Sequence, residues 1–270
     1  DILAGCILAT HAFIDIHKIL LLVIISACLY GGGIVFNDVF DITTDETERP
    51  DRPLPSGNIS KRDALYLGVI LFLTALLCAC LVNATSVCIS IVIIALILSY
   101  NAWTKTVPAI GTLNMGLCRF FNLMLGLSII PASISTYWMF PLILMIYVML
   151  ITALSKQEVK GEQRWKIVFV ISCFIGLVFF TGSLSVKGIL PNHAMHGLLF
   201  IFTLIVLWPM GKAVINPCPK SIQSAIKTMV LSIIILDACF VMGATNGLHA
   251  LVVLALLVPA YIISRFLYVT

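Results

Sequence analysis

At 270 residues, with 61% hydrophobic and only 10% charged side chains and a mean hydropathy of +1.12, the chain falls far below the roughly 25% charge of a water-soluble globule. Its apolar runs are close to the roughly 20 residues that a helix needs to cross hydrocarbon, and they lack the alternation of barrel strands, so an all-α, multi-pass integral membrane protein is expected. A net charge of +4 spread over such a chain points to no nucleic-acid partner, and the whole of residues 1–270 reads as one transmembrane domain.

In chain order the predicted spans are 1–11, 18–36, 63–82, 85–101, 109–130, 137–154, 165–184, 194–211, 221–242 and 247–268, nine to ten crossings in all. The first is too short to cross alone. With Asp1 at its head it reads as the back half of a helix, and no basic start with a small-residue cleavage site marks a signal peptide. Cys28, Cys78, Cys80, Cys88, Cys118, Cys173 and Cys239 lie inside apolar runs and read as small core packers, with no metal-type CxxC pair.

Of the sixteen basic residues, twelve fall in loops after even-numbered spans: Arg49, Arg52, Lys61, Arg62, Lys105, Lys156, Lys160, Arg164, Lys166, Lys212, Lys220 and Arg265. Lys18 and Lys187 fall on the other side, and Arg119 and Lys227 lie within spans. The positive-inside bias makes the even-loop side cytoplasmic.

Between the second and third spans stands NDVFDITTDETERPDRPLPSG, Asn37 to Gly57, holding six of the chain's twelve carboxylates (Asp38, Asp41, Asp45, Glu46, Glu48 and Asp51). Asn37, Asp41 and Asp45 are spaced i, i+4, i+8, which lines one face of a helical extension, with Asp38 beside them. Like charges so placed repel, so local helix stability does not account for them. A second acidic cluster, SKQEVKGE from Ser155 to Glu162, emerges on the same side and repeats the i, i+4 spacing in Glu158 and Glu162. Two rows of oxygen ligands suit a hard divalent cation, and partial hydration with phosphate contacts favours Mg²⁺. Arg49 and Arg52 follow the first row directly, and guanidinium forks grip phosphate oxygens bidentately. A merely solvated loop needs neither the aligned spacing nor a second cluster. Glu46, Glu48 and Asp51 fall off the row and read as solvated.

These residues carry a resemblance. NDVFDITTDETERPDRPLPSG resembles the NDxxDxxxD…RPxRPxPSG signature of the UbiA superfamily of intramembrane prenyltransferases, and NMGLCRFFNLMLG with SKQEVKG is most similar to its EboC-like branch. The resemblance implies a helical bundle around a central cavity, with an isoprenyl diphosphate bound through Mg²⁺ at its mouth and the prenyl group passed to a small-molecule acceptor in a setting of membrane lipid. Carried over, Asn37, Asp38, Asp41 and Asp45 would hold Mg²⁺ with help from Glu158 and Glu162. Arg49, Arg52 and Lys105 would hold the diphosphate, with Lys156 near it. Catalysis would rest on Asp38, Asp41, Asp45 and Lys105.

Two places depart from the pattern. The family writes its second motif DxxDxxGD, whereas Ser155, Glu158 and Glu162 stand here, which alters the charge and reach of a second metal position. Tyr100 and Lys105 match the family's tyrosine and lysine at the end of the fourth span, one residue wider than YxxxK; Tyr100 reads equally as an interfacial aromatic.

Asn114, Arg119 and Asn122 interrupt the fifth span. Arg119 lies about 15 Å from its cytoplasmic end at 1.5 Å per residue, where a charge is costly and faces a cavity or an ion pair. These three are candidate acceptor-binding residues, and Gly111, Met115, Arg119, Asn122 and Gly126 together predict a cavity-lining face. Gly31, Gly32 and Gly33 suit either close helix packing or close approach to a ligand. Asp237 reads as a structural hydrogen-bonding group, and the five histidines make no metal set. Two alternatives to transfer remain: a terpene cyclase using the same ionisation without an acceptor, and a lipid carrier that keeps the fold without the chemistry.

Overall fold

The computed structural model describes residues 1–12, 15–158, 164–186 and 189–266. Among them the secondary structure is wholly helical: α1 (Ile2–Thr10), α2 (Ile16–Glu48), α3 (Lys61–Val82), α4 (Ala84–Ala102), α5 (Pro108–Leu127), α6 (Ser133–Tyr137), α7 (Met139–Glu158), α8 (Arg164–Val186), α9 (Met195–Ile215), α10 (Pro219–Ala244), α11 (Gly247–Ala255) and α12 (Leu257–Phe266). Eight helical segments among the described residues are long and apolar enough to cross a membrane, the last of them continuous through α11 and α12, and α7 adds a shorter apolar stretch at Met139–Ser155.

The boundaries follow local chemistry. Asp15 caps α2 by accepting from the Lys18 amide at 3.1 Å. Ser60 does the same for α3 from the Asp63 amide, also at 3.1 Å. Asn83 ends α3 in extended backbone and caps α4 through the Ser86 amide at 2.9 Å. It also reaches across the bundle, donating from Nδ2 to the Ser128 carbonyl at 2.7 Å. Pro108 and Pro219 open α5 and α10, where the missing N–H costs nothing.

Of the described helices α2 exceeds the bilayer by the most. With 33 residues, α2 is about 50 Å long at 1.5 Å per residue, well beyond a hydrocarbon core of roughly 30 Å. Its last turns therefore project from the membrane as helix rather than loop, and they carry the acidic row.

The interior divides into two apolar clusters. The smaller packs α2, α3 and α4 around Leu22, Ile25, Leu29, Phe72, Ala75 and Ala79. The larger joins α7 to α11 around Phe140, Tyr147, Phe174, Phe202 and Phe240. Between them stands α1, buried along most of its length and packed against α2, α5, α6, α10 and α11. Its contact with α5 is backbone on backbone: a Cβ on Gly5 would lie 2.7 Å from the Leu123 carbonyl oxygen, and one on Gly126 would lie 2.5 Å from that of Ile2.

Contacts at the helix ends pair loops of like parity. The end of α4 meets the end of α2 through Lys105 and Asp41, and the start of α10 meets α12 through Lys227 Nζ and the Ser264 carbonyl at 3.1 Å. At the opposite side His11 Nε2 meets the Tyr137 hydroxyl at 2.7 Å, and the Asn192 amide donates to the Gly243 carbonyl at 3.0 Å.

Replacing Gly126 by Val drives a side chain into the α1 backbone and is expected to lower stability by about 1–3 kcal/mol, read as a fall in melting temperature in detergent. Gly176→Ala, at a position with nothing within 4 Å of the added Cβ, is expected to leave it unchanged or slightly raised.

Candidate active site

At the projecting end of α2 the acids meet the bases that the sequence places near them. One guanidinium nitrogen, Arg52 Nη1, lies 3.2 Å from Asp38 Oδ1 and 2.8 Å from Asp45 Oδ2. Asp45 is buried, whereas Asp38 and Arg52 are half-buried. Seven residues apart, Asp38 and Asp45 lie two turns along one helix face, so a single cation can bridge them. Asp41, on the turn between, pairs with Lys105 Nζ.

The turn after α2 makes the first contact possible. It folds back on itself through Arg52 N to Arg49 O at 3.1 Å, Ser56 N to Arg52 O at 2.9 Å and Ile59 N to Pro53 O at 3.0 Å. Gly57 takes the left-handed φ of 77° that a side chain would resist. Lys105 comes from a single 3₁₀ turn, Thr104–Thr106, between α4 and α5. Arg49 is exposed at the cap of α2, where its amide donates to the Asp45 carbonyl at 2.8 Å.

Beneath the acids a cavity of about 540 Å³ runs between α2, α4 and α5, within the usual range for a small-molecule site. Asn37, Asp38 and Arg52 form its mouth, with Tyr100 and Asn101 alongside. Leu29, Ile34, Ile93 and Ile97 give it an aliphatic wall, and Tyr30 adds a second phenol ring. Its far end is polar. Ser26 Oγ donates to Asn122 Oδ1 at 2.7 Å, and Asn122 Nδ2 and Arg119 Nη1 both donate to Asp1 Oδ2, at 3.2 and 3.1 Å. The mid-helix guanidinium thus has a carboxylate partner while still lining the cavity.

The predicted face of α5 divides. Met115, Arg119 and Asn122 line the cavity, but its two glycines do not: Gly111 packs against the Thr104 carbonyl and Gly126 against α1. Asn114 is buried behind the wall, where its Nδ2 donates to Ser99 Oγ at 3.0 Å and Thr104 Oγ1 at 3.1 Å, tying α5 to α4 and the Lys105 turn. The glycine triplet divides likewise. Gly32 accommodates the Phe72 ring, whereas Gly33 lines the cavity and accepts from Asn101 Nδ2 at 3.3 Å. Asp237 is buried against α1, with Oδ2 2.6 Å from the Asp1 nitrogen.

Ser26, Tyr30 and Asn101 line the cavity without having been singled out in the sequence, and Cys118, read there as a core packer, lines it too. The signal for the first two was available. Counting back from Asn37 in steps of three and four gives Gly33, Tyr30 and Ser26, the same helix face continued into the membrane. Asn101 and Cys118 carry no such pattern.

The acids carry the donor chemistry of metal ligands. Asp38 and Asp45 converge on one cationic atom, so two carboxylate oxygens already share a positive centre, with the Asn37 amide beside the same mouth. That oxygen-rich set fits a hard divalent ion. Among the described residues no group of three or more His, Cys, Asp and Glu side chains closes on a metal position unaided, so further oxygens are required. Glu162 and the side chains of Lys156 and Glu158 lie outside the described residues. The backbone of α7 does reach the right level. Gly116 packs against Met145 and Met149, so α7, antiparallel to α5, carries Glu158 to about the height of Pro108.

Asn114→Ala removes the donor to two hydroxyls and is expected to cost about 1–3 kcal/mol, seen as a lower melting temperature in detergent.

Solved structures share the architecture. One of digeranylgeranylglyceryl phosphate synthase superposes with a TM-score of 0.68 at 20% identity over 90% of this chain and 91% of its own. The apo structure of a UbiA homolog from Aeropyrum pernix K1 gives 0.65 at 16% identity over 88% and 93%. Sequence relatives carry the same synthase name. The Thermococcus sibiricus protein is 27% identical over 245 residues, 85% of each chain. That of Methanothrix thermoacetophila is 31% identical over 136 residues, 50% of this chain and 51% of the relative, and that of Sulfurisphaera tokodaii 29% over 168 residues, 62% and 59%. The matched region therefore spans only about half to three-fifths of these last two relatives. The sequence pattern of the UbiA prenyltransferase family matches residues 2–164, more than half of the chain and inclusive of every cavity residue named above, and the protein belongs to that family.

Proposed function

We propose that the protein is a Mg²⁺-dependent intramembrane prenyltransferase that ionises an isoprenyl diphosphate at the mouth of the cavity and passes the prenyl group to a small acceptor. The observation that carries this reading is the meeting of Asp38, Asp41 and Asp45 with Arg52 and Lys105 at one end of a cavity with an aliphatic wall. Held by Asn37, Asp38, Asp41 and Asp45, with Glu158 and Glu162 completing the set, Mg²⁺ would supply Lewis-acid neutralisation of the diphosphate oxygens.

The chain's own residues do the rest. Arg49 and Arg52 grip the diphosphate by their planar forks and Lys105 by its point charge, with Lys156 from the end of α7. As the allylic C–O bond breaks, charge develops on the leaving pyrophosphate, where fixed cations stabilise it most. The allylic cation left behind is shielded from water by Leu29, Ile34, Ile93 and Ile97, and the rings of Tyr30 and Tyr100 offer it negative π faces. Ser26, Arg119 and Asn122 supply hydrogen-bonding groups for the acceptor at the far end. Twelve basic residues in even-numbered loops support a cytoplasmic mouth, reached by soluble diphosphate and by membrane lipid alike.

The relatives' shared name puts a geranylgeranyl donor and a glyceryl phosphate acceptor first among substrates to try. Purified protein with Mg²⁺ and geranylgeranyl diphosphate is expected to release pyrophosphate only when geranylgeranylglyceryl phosphate or another hydroxyl acceptor is added. EDTA should abolish the release, and Asp41→Asn should slow it at least ~100-fold. A cyclic hydrocarbon formed without acceptor would make the protein a cyclase, and no release with any donor would leave only a lipid carrier.

A further inference from the structure

The geometry points to a second task for Arg52: it serves as an internal counter-cation that holds the Asp38 and Asp45 pair until diphosphate and metal arrive together. This rests on the reading of the acid row as a metal site and adds a binding order to it. The argument begins from one atom. Arg52 Nη1 donates to Asp38 Oδ1 at 3.2 Å and to Asp45 Oδ2 at 2.8 Å, so the guanidinium occupies the place between the carboxylates where a bridging cation would sit. Asp41 is likewise engaged, by Lys105. These five paired groups, three acids and two bases, sum to a charge of minus one.

Metal alone is then a poor ligand for the site. To reach Asp38 and Asp45 it must displace Arg52, and the displaced guanidinium would exchange both carboxylates for water. Asp45 is only 6% exposed, so its end of the bond to Arg52 lies away from water and the pairing competes with an incoming cation. Diphosphate would change the balance, because its oxygens would offer the guanidinium new bidentate partners. Arg52 stands on the short turn after α2 and the carboxylates on α2 itself, so the exchange is between separate elements. Ordinary thermodynamic reciprocity then makes each of metal and diphosphate strengthen the other's binding.

The test uses Mn²⁺ as a paramagnetic probe, with inorganic pyrophosphate as the anion, on the full chain in detergent. In the unaltered protein Mn²⁺ alone should bind weakly and pyrophosphate should tighten it. In Arg52→Gln, Mn²⁺ alone should bind about tenfold tighter, the equivalent of one charge-assisted hydrogen bond no longer opposing it, while the tightening by pyrophosphate shrinks. Arg52→Lys, which keeps a cation beside the acids, should hold Mn²⁺-alone binding near the unaltered level. Arg62→Gln, which removes an equal charge from a residue stacked on Tyr66, should leave it unchanged. Unchanged or weaker Mn²⁺-alone binding in Arg52→Gln, with pyrophosphate-dependent binding intact in the unaltered protein, would overturn the counter-cation role alone. Absence of Mn²⁺ binding in every variant, with or without pyrophosphate, would overturn the metal site and the inference with it.

Discussion

The structure turns on the pairing of a carboxylate row with two cations at the end of one overlong helix. Three aspartates within eight residues of α2 repel one another, and each is offset by Arg52 or Lys105. That pairing ties the turn after α2 and the turn after α4 to the same end of α2, beside the cavity mouth. It also brings the groups suited to a divalent metal within reach of those suited to phosphate. The cavity below has value only because this charged mouth marks one end of it, with an aliphatic wall between the mouth and a polar floor.

Helix length is what lets this happen in a membrane. A helix of 33 residues crosses the hydrocarbon and still has several turns left, so the acidic row is presented on a rigid element and not on a loop. Rigidity matters for ligands that must converge on a point. The same helix, followed back into the bilayer, contributes Gly33, Tyr30 and Ser26 to the cavity wall, so one element runs through mouth, wall and floor. Beside it, α1 fills the centre of the bundle through glycine contacts with α5, which fixes the spacing of the cavity's third wall.

Much of this was legible in the sequence, for physical reasons that can be named. Long apolar runs declare membrane helices because the bilayer leaves no other way to satisfy the backbone, and all ten predicted runs recur as helical segments. The i, i+4, i+8 spacing from Asn37 to Asp45 declared a helical face for the same reason that it was chemically odd. The errors came where neighbours in space decide a residue's part. Asn114 looked like its polar companions Arg119 and Asn122, but it points toward Ser99 and Thr104 and away from the cavity. Gly111 and Gly126 shared a periodicity with cavity residues, yet packing against the Thr104 turn and against α1 accounts for them. Nor could spacing reveal that Arg52 rests on the acids themselves, since that depends on how its turn folds back.

Family membership and the mouth geometry make diphosphate ionisation the chemistry to test. The most direct measurement is a structure of the protein with Mg²⁺ and an unreactive thio-analogue of geranylgeranyl diphosphate. The account predicts the diphosphate at the mouth beside Asn37, Asp38 and Asp41, with Arg52 and Lys105 turned from the carboxylates onto phosphate oxygens and the prenyl chain along Leu29, Ile93 and Ile97. An analogue bound elsewhere, with Arg52 still bridging Asp38 and Asp45, would contradict it.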